Sequence, residues 1–379
     1  ALRPPQKIFL EISARIWYTE SYRCAGCCGI YGKDGFTLSK KVSMQDIADA
    51  LGISKTTVST AISDKYGVSD SKRSEIIFTA IQMGYDFKKS KIGTKSKKGE
   101  IAVLFGQNDF MQSYFWLPIL RGVEKEAAER GYRFRIVLTC QYDSIEELTV
   151  TLAGPKLAGI ILLSDGDTAL AEQLFKMNIP MALADSREIS DARFDHVRAS
   201  NYAGGIMAAK YLMERGHTRM AFGGNKDFSY SFRQRANGFR DAVESAGLRY
   251  TAVGEDRSDP GDPVVREEIG RIFLAPDAPT ALFCANDDWA CMAYYVLKDF
   301  GLSVPDDVSL IGFDNIDTSK YVRDPAFSLT TFDVPKELMG RKVVHLLAER
   351  IERGGAPESI EIAAVLVERG SVKDLTKIR

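Results

Sequence analysis

The sequence predicts two architectures in one chain: a small all-α helix-turn-helix headpiece, and an α/β body of two lobes, each a doubly wound parallel sheet. Three observations carry this. Residues 42–87 hold three short helix signals separated by single turns. Beyond Glu100, apolar strands alternate with amphipathic helices, the pattern of a parallel sheet covered on both faces. That alternation runs through two similar rounds of roughly a hundred residues each, which implies two lobes with a cleft between them. At 379 residues and 45% hydrophobic content, the chain has material for two or three domains with large cores.

Residues 1–41 form an arm of unassigned role. Lys7 to Tyr18 has the spacing of a short amphipathic helix through Ile8, Phe9, Ile12, Ile16 and Trp17, whereas Pro4-Pro5 and Gly26, Gly29, Gly32 and Gly35 point to a loose arrangement. Cys24-Ala-Gly-Cys27-Cys28 has the CxxC spacing that suits zinc. A tetrahedral site needs further ligands, however, and no His precedes residue 196, so neither a metal nor a cofactor is expected.

The headpiece, 42–87, opens at Ser43, an N-cap with Asp46 three residues on. Ile47, Ala48 and Leu51 give the first helix, Met44 to Leu51, an apolar face. Gly52 supplies a left-handed turn, and Ser54 caps a second helix, Lys55 to Ser63. Val58 and Ile62 point inward there, which leaves Lys55, Thr56, Thr57, Ser59 and Thr60 as short polar and basic groups suited to a DNA major groove. A third helix starts at Ser69, with Lys72 and Arg73 on its outer side and Ile76, Ile77, Ala80 and Ile81 beneath, and stops at Gly84. Ser43, Met44, Gln45, Ser54, Lys55, Thr56, Thr57, Ser59, Thr60 and Ser63 are the headpiece side chains expected on DNA.

The linker, residues 88–99, reads KKSKIGTKSKKG and has no core-forming periodicity; Lys88, Lys89 and Lys91 are expected to meet phosphates. The whole chain carries a formal net charge of −1, yet Lys41 to Lys98 holds eleven Lys/Arg against six Asp/Glu, a local basic excess where DNA contact is expected.

The body, 100–379, begins with strand Ile101 to Phe105 and a helix from about Pro118 to Arg130. It continues with strand Arg133 to Thr139, helix Ser144 to Leu152, strand Gly159 to Leu163, helix Thr168 to Met177 and strand Met181 to Ala184. The second round runs from strand His196 to Arg198 through helix Tyr202 to Arg215, strand Met220 to Gly223, helix Tyr230 to Ala246 and strand Tyr250 to Val253. Helix Asp262 to Leu274, strand Ala281 to Cys284, helix Asp287 to Phe300 and strand Val308 to Gly312 complete it. Leu329-Thr-Thr331, the helix Pro335 to Arg353 and the strand Ala364 to Arg369 serve both lobes, so the chain crosses between them more than once. The expected division is a first lobe of about 100–198 plus 328–355 and a second of about 199–327 plus 356–379.

Ligands in such sheets sit beyond the carboxyl ends of strands. Arg235 follows a strand and an aromatic loop, where a guanidinium can fork onto hydroxyls or a carboxylate. Asn286-Asp287 directly follows a strand and offers an amide and an acceptor, with a helix N-cap as the other reading of Asp287. Asp185, Phe228 and Trp289 are expected as further wall residues.

The run Ile47-Ala48-x-x-Leu51-Gly52-Ile53-Ser54-x-x-Thr57-Val58-Ser59, followed by Val68-Ser69 and Gly84-Tyr85, resembles the headpiece of lac-repressor (LacI) family transcription regulators without a gap. Leu212-x-x-x-Gly216-His217, the run from Val304 to Asp314, and Leu366-Val367-x-Arg369-Gly370-Ser371 are similar to the same family, so the resemblance covers residue 42 to about 371. It implies a periplasmic-binding-protein-like body and a ligand-responsive repressor of genes for uptake or catabolism of a small molecule. Its partners would be operator DNA, a small-molecule effector and a second copy of the chain in a homodimer. In the family, the residues matching Arg235 and Asp287 contact the effector and an aromatic stacks on it, a place matched here by Trp116 with Phe115 beside it. A sugar is the favoured effector and a purine or nucleoside the alternative.

Two positions depart from the family pattern. Thr94 stands where an apolar hinge side chain wedges into the minor groove, and Ser200 precedes Asn201 where many relatives have Asp.

Other classes fit less well. No GxxxxGK[ST] or GxSxG motif occurs, and His196, His217 and His345 lack HExxH spacing, so an enzyme is not expected. His217 is read as a cation at a helix C-terminus. A solute-binding protein would account for the lobes but not for the headpiece. No apolar run of about eighteen residues and no signal-peptide order is present, so a cytoplasmic protein without membrane contact is expected. Cys140, Cys284 and Cys291 read as buried thiols.

Overall fold

The computed structural model describes residues 42–62, parts of 67–85, and then 98–106, 113–153, 156–163, 168–185, 193–257 and 261–378. The arm with Cys24, Cys27 and Cys28, the headpiece residues Ser63 and Ser69, the linker residues Lys88, Lys89, Lys91 and Thr94, and the side chain of Cys140 lie outside the described residues.

In the headpiece, α1 (Met44–Leu51) opens on a capping box: the Ser43 hydroxyl accepts from the Asp46 amide at 3.3 Å and the Asp46 carboxylate accepts from the Ser43 amide at 2.7 Å. Gly52 closes it at φ 63°, and Ser54 starts α2 (Lys55–Ile62) by accepting from the Thr57 amide at 3.0 Å. Ile47, Ala48, Val58, Ala61 and Ile62 pack with Ile76 and Ala80 of the third helical segment. Arg73 is not on the outer side as expected. It is buried, and its guanidinium donates to the carbonyls of Thr60 at 3.3 Å and Ala61 at 2.7 Å. The last carbonyls of α2 have no donor within their own helix, and Arg73 satisfies them.

The first lobe is built on β1 (Glu100–Phe105), β2 (Arg133–Leu138), β3 (Leu157–Leu163), β4 (Met181–Ala184) and β5 (Asp195–Ala199). Their helices are α3 (Ser113–Glu129), α4 (Ile145–Leu152) and α5 (Thr168–Phe175). The second lobe follows with α6 (Asn201–Glu214), β6 (Arg219–Gly223), α7 (Tyr230–Ser245), β7 (Arg249–Val253), α8 (Pro263–Phe273), β8 (Ala281–Cys284), α9 (Asp287–Asp299) and β9 (Ser309–Ile311). The chain then runs through β10 (Thr331–Asp333), α10 (Lys336–Arg353), β11 (Ser359–Ile362) and β12 (Val365–Val367).

Both main sheets are parallel, ordered β11-β5-β4-β3-β1-β2 and β7-β6-β8-β9, while β10 and β12 form an antiparallel ribbon. In each sheet the strand order reverses, at β1/β3 and at β6/β8, and crevices open at the carboxyl ends there. Two differences from the sequence reading matter. Helix α3 starts at Ser113 instead of near Pro118, and the proline, common at a helix start, stands sixth in it. Strand β11 has little signal in the sequence, since four residues of SIEI carry little pattern. It pairs with β5, so the last recrossing follows residue 362 and not 356. The lobes are joined by three segments: β5 to α6, β10 to α10, and β11 to β12.

Each lobe contains one helix pair in backbone contact. A Cβ on Gly122 of α3 would lie 2.0 Å from the Glu337 carbonyl oxygen of α10, and one on Gly340 would lie 1.9 Å from that of Ile119. In the second lobe, a Cβ on Gly205 of α6 would lie 2.2 Å from the Arg235 carbonyl oxygen, and one on Gly238 of α7 would lie 2.0 Å from that of Tyr202. At the far end of α10, Glu352 accepts from the Lys98 ammonium at 2.6 Å, where the body begins.

His217 is buried: one ring nitrogen meets the Thr280 hydroxyl at 2.8 Å and the other the Lys373 carbonyl at 3.1 Å. Burial lowers its pKa, so it is a neutral bracket for the tail instead of the cation expected from the helix end. Among the described residues, no helix is long and apolar enough to cross a membrane.

Candidate functional site

On the headpiece, Lys55 and Thr56 stand exposed on α2, with Thr57, Ser59 and Thr60 half-buried beside them. The hydroxyls of Ser54 and Thr57 lie 2.8 Å apart, so part of their bonding capacity is used in capping. Ser43 is held in its capping box and the Gln45 amide donates to Asp49 at 2.8 Å. Met44, expected on DNA, is half-buried against the headpiece core, because its spacing to Ile47, Ala48 and Leu51 puts it on the inner face of α1.

The cleft site grows from α7. Ser229 caps this helix by accepting from the Phe232 amide at 3.1 Å, and Arg235 lies in its second turn, buried. Its guanidinium donates to the Asn201 side-chain oxygen at 2.9 Å, the Ala285 carbonyl at 2.6 Å and the Asp314 carboxylate at 3.4 Å, and lies 3.8 Å from the Phe313 ring centroid. The Asn201 amide reaches the Ala199 carbonyl at 3.1 Å and the Ser231 hydroxyl at 3.2 Å. Ser231 in turn donates to Asp185 at 3.1 Å. Asp185 stands just past the end of β4 with φ 48°. The Lys336 ammonium donates to the Asp314 carbonyl.

Burial pushes the Asp185 and Asp314 carboxyls up, and the Arg235 charge opposes this at both. The result is one polar chain from lobe to lobe, running Asp185, Ser231, Asn201, Arg235, Asp314. Charge-assisted bonds of this kind are strong when water is excluded.

Asn286-Asp287 is also a linked unit. Asn286 is the true cap of α9, accepting from the Trp289 amide at 2.9 Å. Asp287 is neither that cap nor an open acceptor: its carboxylate accepts from the Ile316 amide at 2.8 Å and the Thr331 hydroxyl at 2.6 Å, while its own amide donates to the Phe313 carbonyl at 2.8 Å. Burial pushes it up to about 7. The neighbouring Asp288 faces elsewhere. It accepts from the Tyr114 hydroxyl of α3 across the cleft, and burial raises it to about 7 as well. The Tyr321 ring meets that of Tyr114 edge-on at 6.4 Å.

Of the expected aromatic walls, Phe228 lies in the turn before α7 with its ring 5.2 Å from Phe232, near Arg235. Phe115 is buried beneath the Lys336 ammonium at 5.9 Å. Trp116 turns into the core of the first lobe, edge-on to Phe105 at 5.5 Å and to Phe115 at 4.9 Å. Because α3 begins at Ser113, residues 114 to 116 are spread around a helix, and Tyr114 is the one that faces the second lobe. Trp289 is likewise a core residue. Its ring lies over Gly223, where a Cβ would come within 2.3 Å, among Val253 and Val265.

The residues missed are Tyr114, Asn201, Ser231, Asp288, Asp314 and Lys336. Asp314 and Asn201 stood in stretches already singled out; Tyr114 and Asp288 each stood beside a chosen residue, one helix step away. Among the described residues no cluster of His, Cys, Asp and Glu could hold a metal ion. Cys284 and Cys291 are buried, and burial pushes both thiols up.

The profile of bacterial regulatory proteins of the lacI family matches residues 43–86, and that of a periplasmic binding protein-like domain matches 209–372. The HTH-type transcriptional repressor PurR of Vibrio cholerae serotype O1 is 30% identical over 344 residues, 88% of this chain and 99% of that protein. The HTH-type transcriptional regulator DegA of Bacillus subtilis is 30% identical over the same shares of the two chains. The solved complex of the transcriptional regulator CelR with cellobiose aligns at TM-score 0.61 and 24% identity, over 87% of this chain and 100% of that one. The lac repressor dimer bound to operator and the anti-inducer ONPF aligns at 0.60 and 20%, over 88% and 100%. At these identities the structural likeness shows the fold.

Proposed function

The chain belongs to the lacI family of bacterial regulatory proteins, and on that premise we propose that it is a cytoplasmic repressor that reads operator DNA as a homodimer and answers to an uncharged small molecule, a sugar in the first instance. Lys55, Thr56, Ser59 and Thr60 of α2 enter the major groove, with Ser43 and Gln45 beside them and the lysines of the linker on phosphates. The effector lies between the lobes against Tyr114, Asp185, Phe228, Arg235 and Asp288 at the start of α9. Closure of the lobes changes the spacing of the paired headpieces, so affinities for DNA and effector are coupled reciprocally.

The observation that carries the effector class is the commitment of Arg235. Three of its five N–H donors already end on Asn201, Ala285 and Asp314, and the carboxyls of Asp185 and Asp314 flank it. Such a lining favours hydroxyl and N–H donors over phosphates and carboxylates. A purine is the second reading, favoured by the similarity to PurR and by the aromatic rings of Tyr114, Phe228 and Phe232.

A thermal-shift screen of sugars, purine bases and nucleosides, each beside its phosphorylated form, tests the reading, because a compound that binds the native state alone raises its melting point. A neutral sugar that raises it and shifts operator binding is the expected hit. A phosphorylated member that outperforms its neutral partner sinks the effector class. Salt-independent or absent DNA binding sinks the regulator reading and leaves a solute-binding protein.

A further inference from the structure

Among the described residues, several contacts join the lobes across the cleft, the Lys336 ammonium of α10 on the Asp314 carbonyl among them. Tyr114 of α3 donates to Asp288 of α9, Ser231 of α7 donates to Asp185 beyond β4 at 3.1 Å, and the Arg198 guanidinium of β5 lies 4.7 Å from the Tyr230 ring centroid. The contact of Tyr114 with Asp288 differs from the others in its isolation. Ser231 belongs to the polar chain through Asn201 and Arg235, and it would keep that partner within the second lobe. The Asp288 carboxyl is half-buried, and the charge that acts on it is another carboxylate, Asp314, which repels it. Asp287, one residue earlier, finds both of its donors inside its own lobe, whereas the donor to Asp288 comes from the other. The Tyr321 ring closes over the Tyr114 ring from the second lobe, adding an apolar contact at the same place.

We infer that Tyr114 and Asp288 form a positioning pair, a clasp that holds the two lobes together before any effector arrives. The bond joins two half-buried groups that belong to different lobes, so opening the cleft breaks it. The clasp therefore sets how far the ligand-free protein lies towards closure. The effector then acts on an equilibrium that the chain has already biased. Only the consequence for DNA rests on the proposed function; the clasp itself does not.

Hydrogen exchange read by mass spectrometry on the full chain, without ligand or DNA, tests this. Tyr114→Phe and Asp288→Asn should each raise exchange severalfold in peptides spanning residues 113–120 and 284–292, and the double variant should go no further than either single one. Tyr294→Phe is the control, because it removes a comparable hydroxyl–carboxylate bond, 2.7 Å to Asp324, that lies wholly within the second lobe. It should leave those peptides unchanged. Unaltered exchange in both single variants overturns the clasp, as does a double variant whose effects simply add. Operator binding by the same samples separates the two ideas: variants that open without any change in DNA affinity keep the clasp and remove the coupling.

Discussion

Arg235 lays its guanidinium on the Phe313 ring, 3.8 Å from the centroid, and Phe313 in turn presses on Gly204, where a Cβ would lie 2.7 Å from the ring. The arginine is thus a buried structural member of the second lobe as well as a cleft residue. Removing one partner of a buried ion pair typically costs about 3–5 kcal/mol, since the other charge is left unpaired. Arg235→Ala should therefore lower the urea midpoint markedly and not merely abolish the ligand response. An unchanged midpoint with lost response would mean that the site is more open than this network implies.

The aspartates of α9 give a pH signature. Asp287 and Asp288 are raised to about 7, so the folded protein holds these protons more tightly than the unfolded chain does. Their favourable contribution is complete below the ordinary carboxylate pKa of about 4 and is lost as pH rises through about 7. Asp287→Asn can keep the Ile316 amide bond through its oxygen and donate to the Thr331 hydroxyl, which accepts as readily as it donates. It should flatten the decline of melting temperature between those pH values and be no less stable than the parent at pH 8. A parental slope in the variant would contradict the assignment.

Arg73 and Lys55 should separate cleanly. Arg73→Ala leaves the carbonyls of Thr60 and Ala61 without their buried donor, a loss of about 1.5–3 kcal/mol that should show as a lower headpiece melting point with the salt slope of DNA binding unchanged. A flatter salt slope would instead put Arg73 on a phosphate.

Lys55→Ala or Thr56→Ala should lose roughly 1–3 kcal/mol of discrimination at one base step and leave non-specific binding nearly intact. Equal losses on operator and random DNA would argue against base reading by α2.

Local signals carried most of the architecture. Ser43 with Asp46, Gly52 and Ser54 are short-range instructions, and α1 matches the sequence reading residue for residue. Strands β4 and β8 do too, because an uninterrupted apolar run bounded by turns has few other fates. The site was harder to read, because facing is a three-dimensional property. The family resemblance offers Trp116 as the stacking ring, whereas the protein starts α3 at Ser113, buries Trp116 and presents Tyr114. Asp287 and Asp288 differ by one step of about 100° around a helix, and only the fold decides which of them looks across the cleft. Arg73 looked solvated because no local pattern announces that another helix needs its last carbonyls filled.

Helix α10 touches the cleft at one end and the start of the body at the other. Lys336 holds the Asp314 carbonyl, and Glu352, sixteen positions on, holds Lys98. Between them, Gly340 bears on the α3 backbone with no side chain to cushion the contact. The eighteen residues of α10 span about 27 Å, so one rigid element reaches from the cleft to the residue at which the body begins.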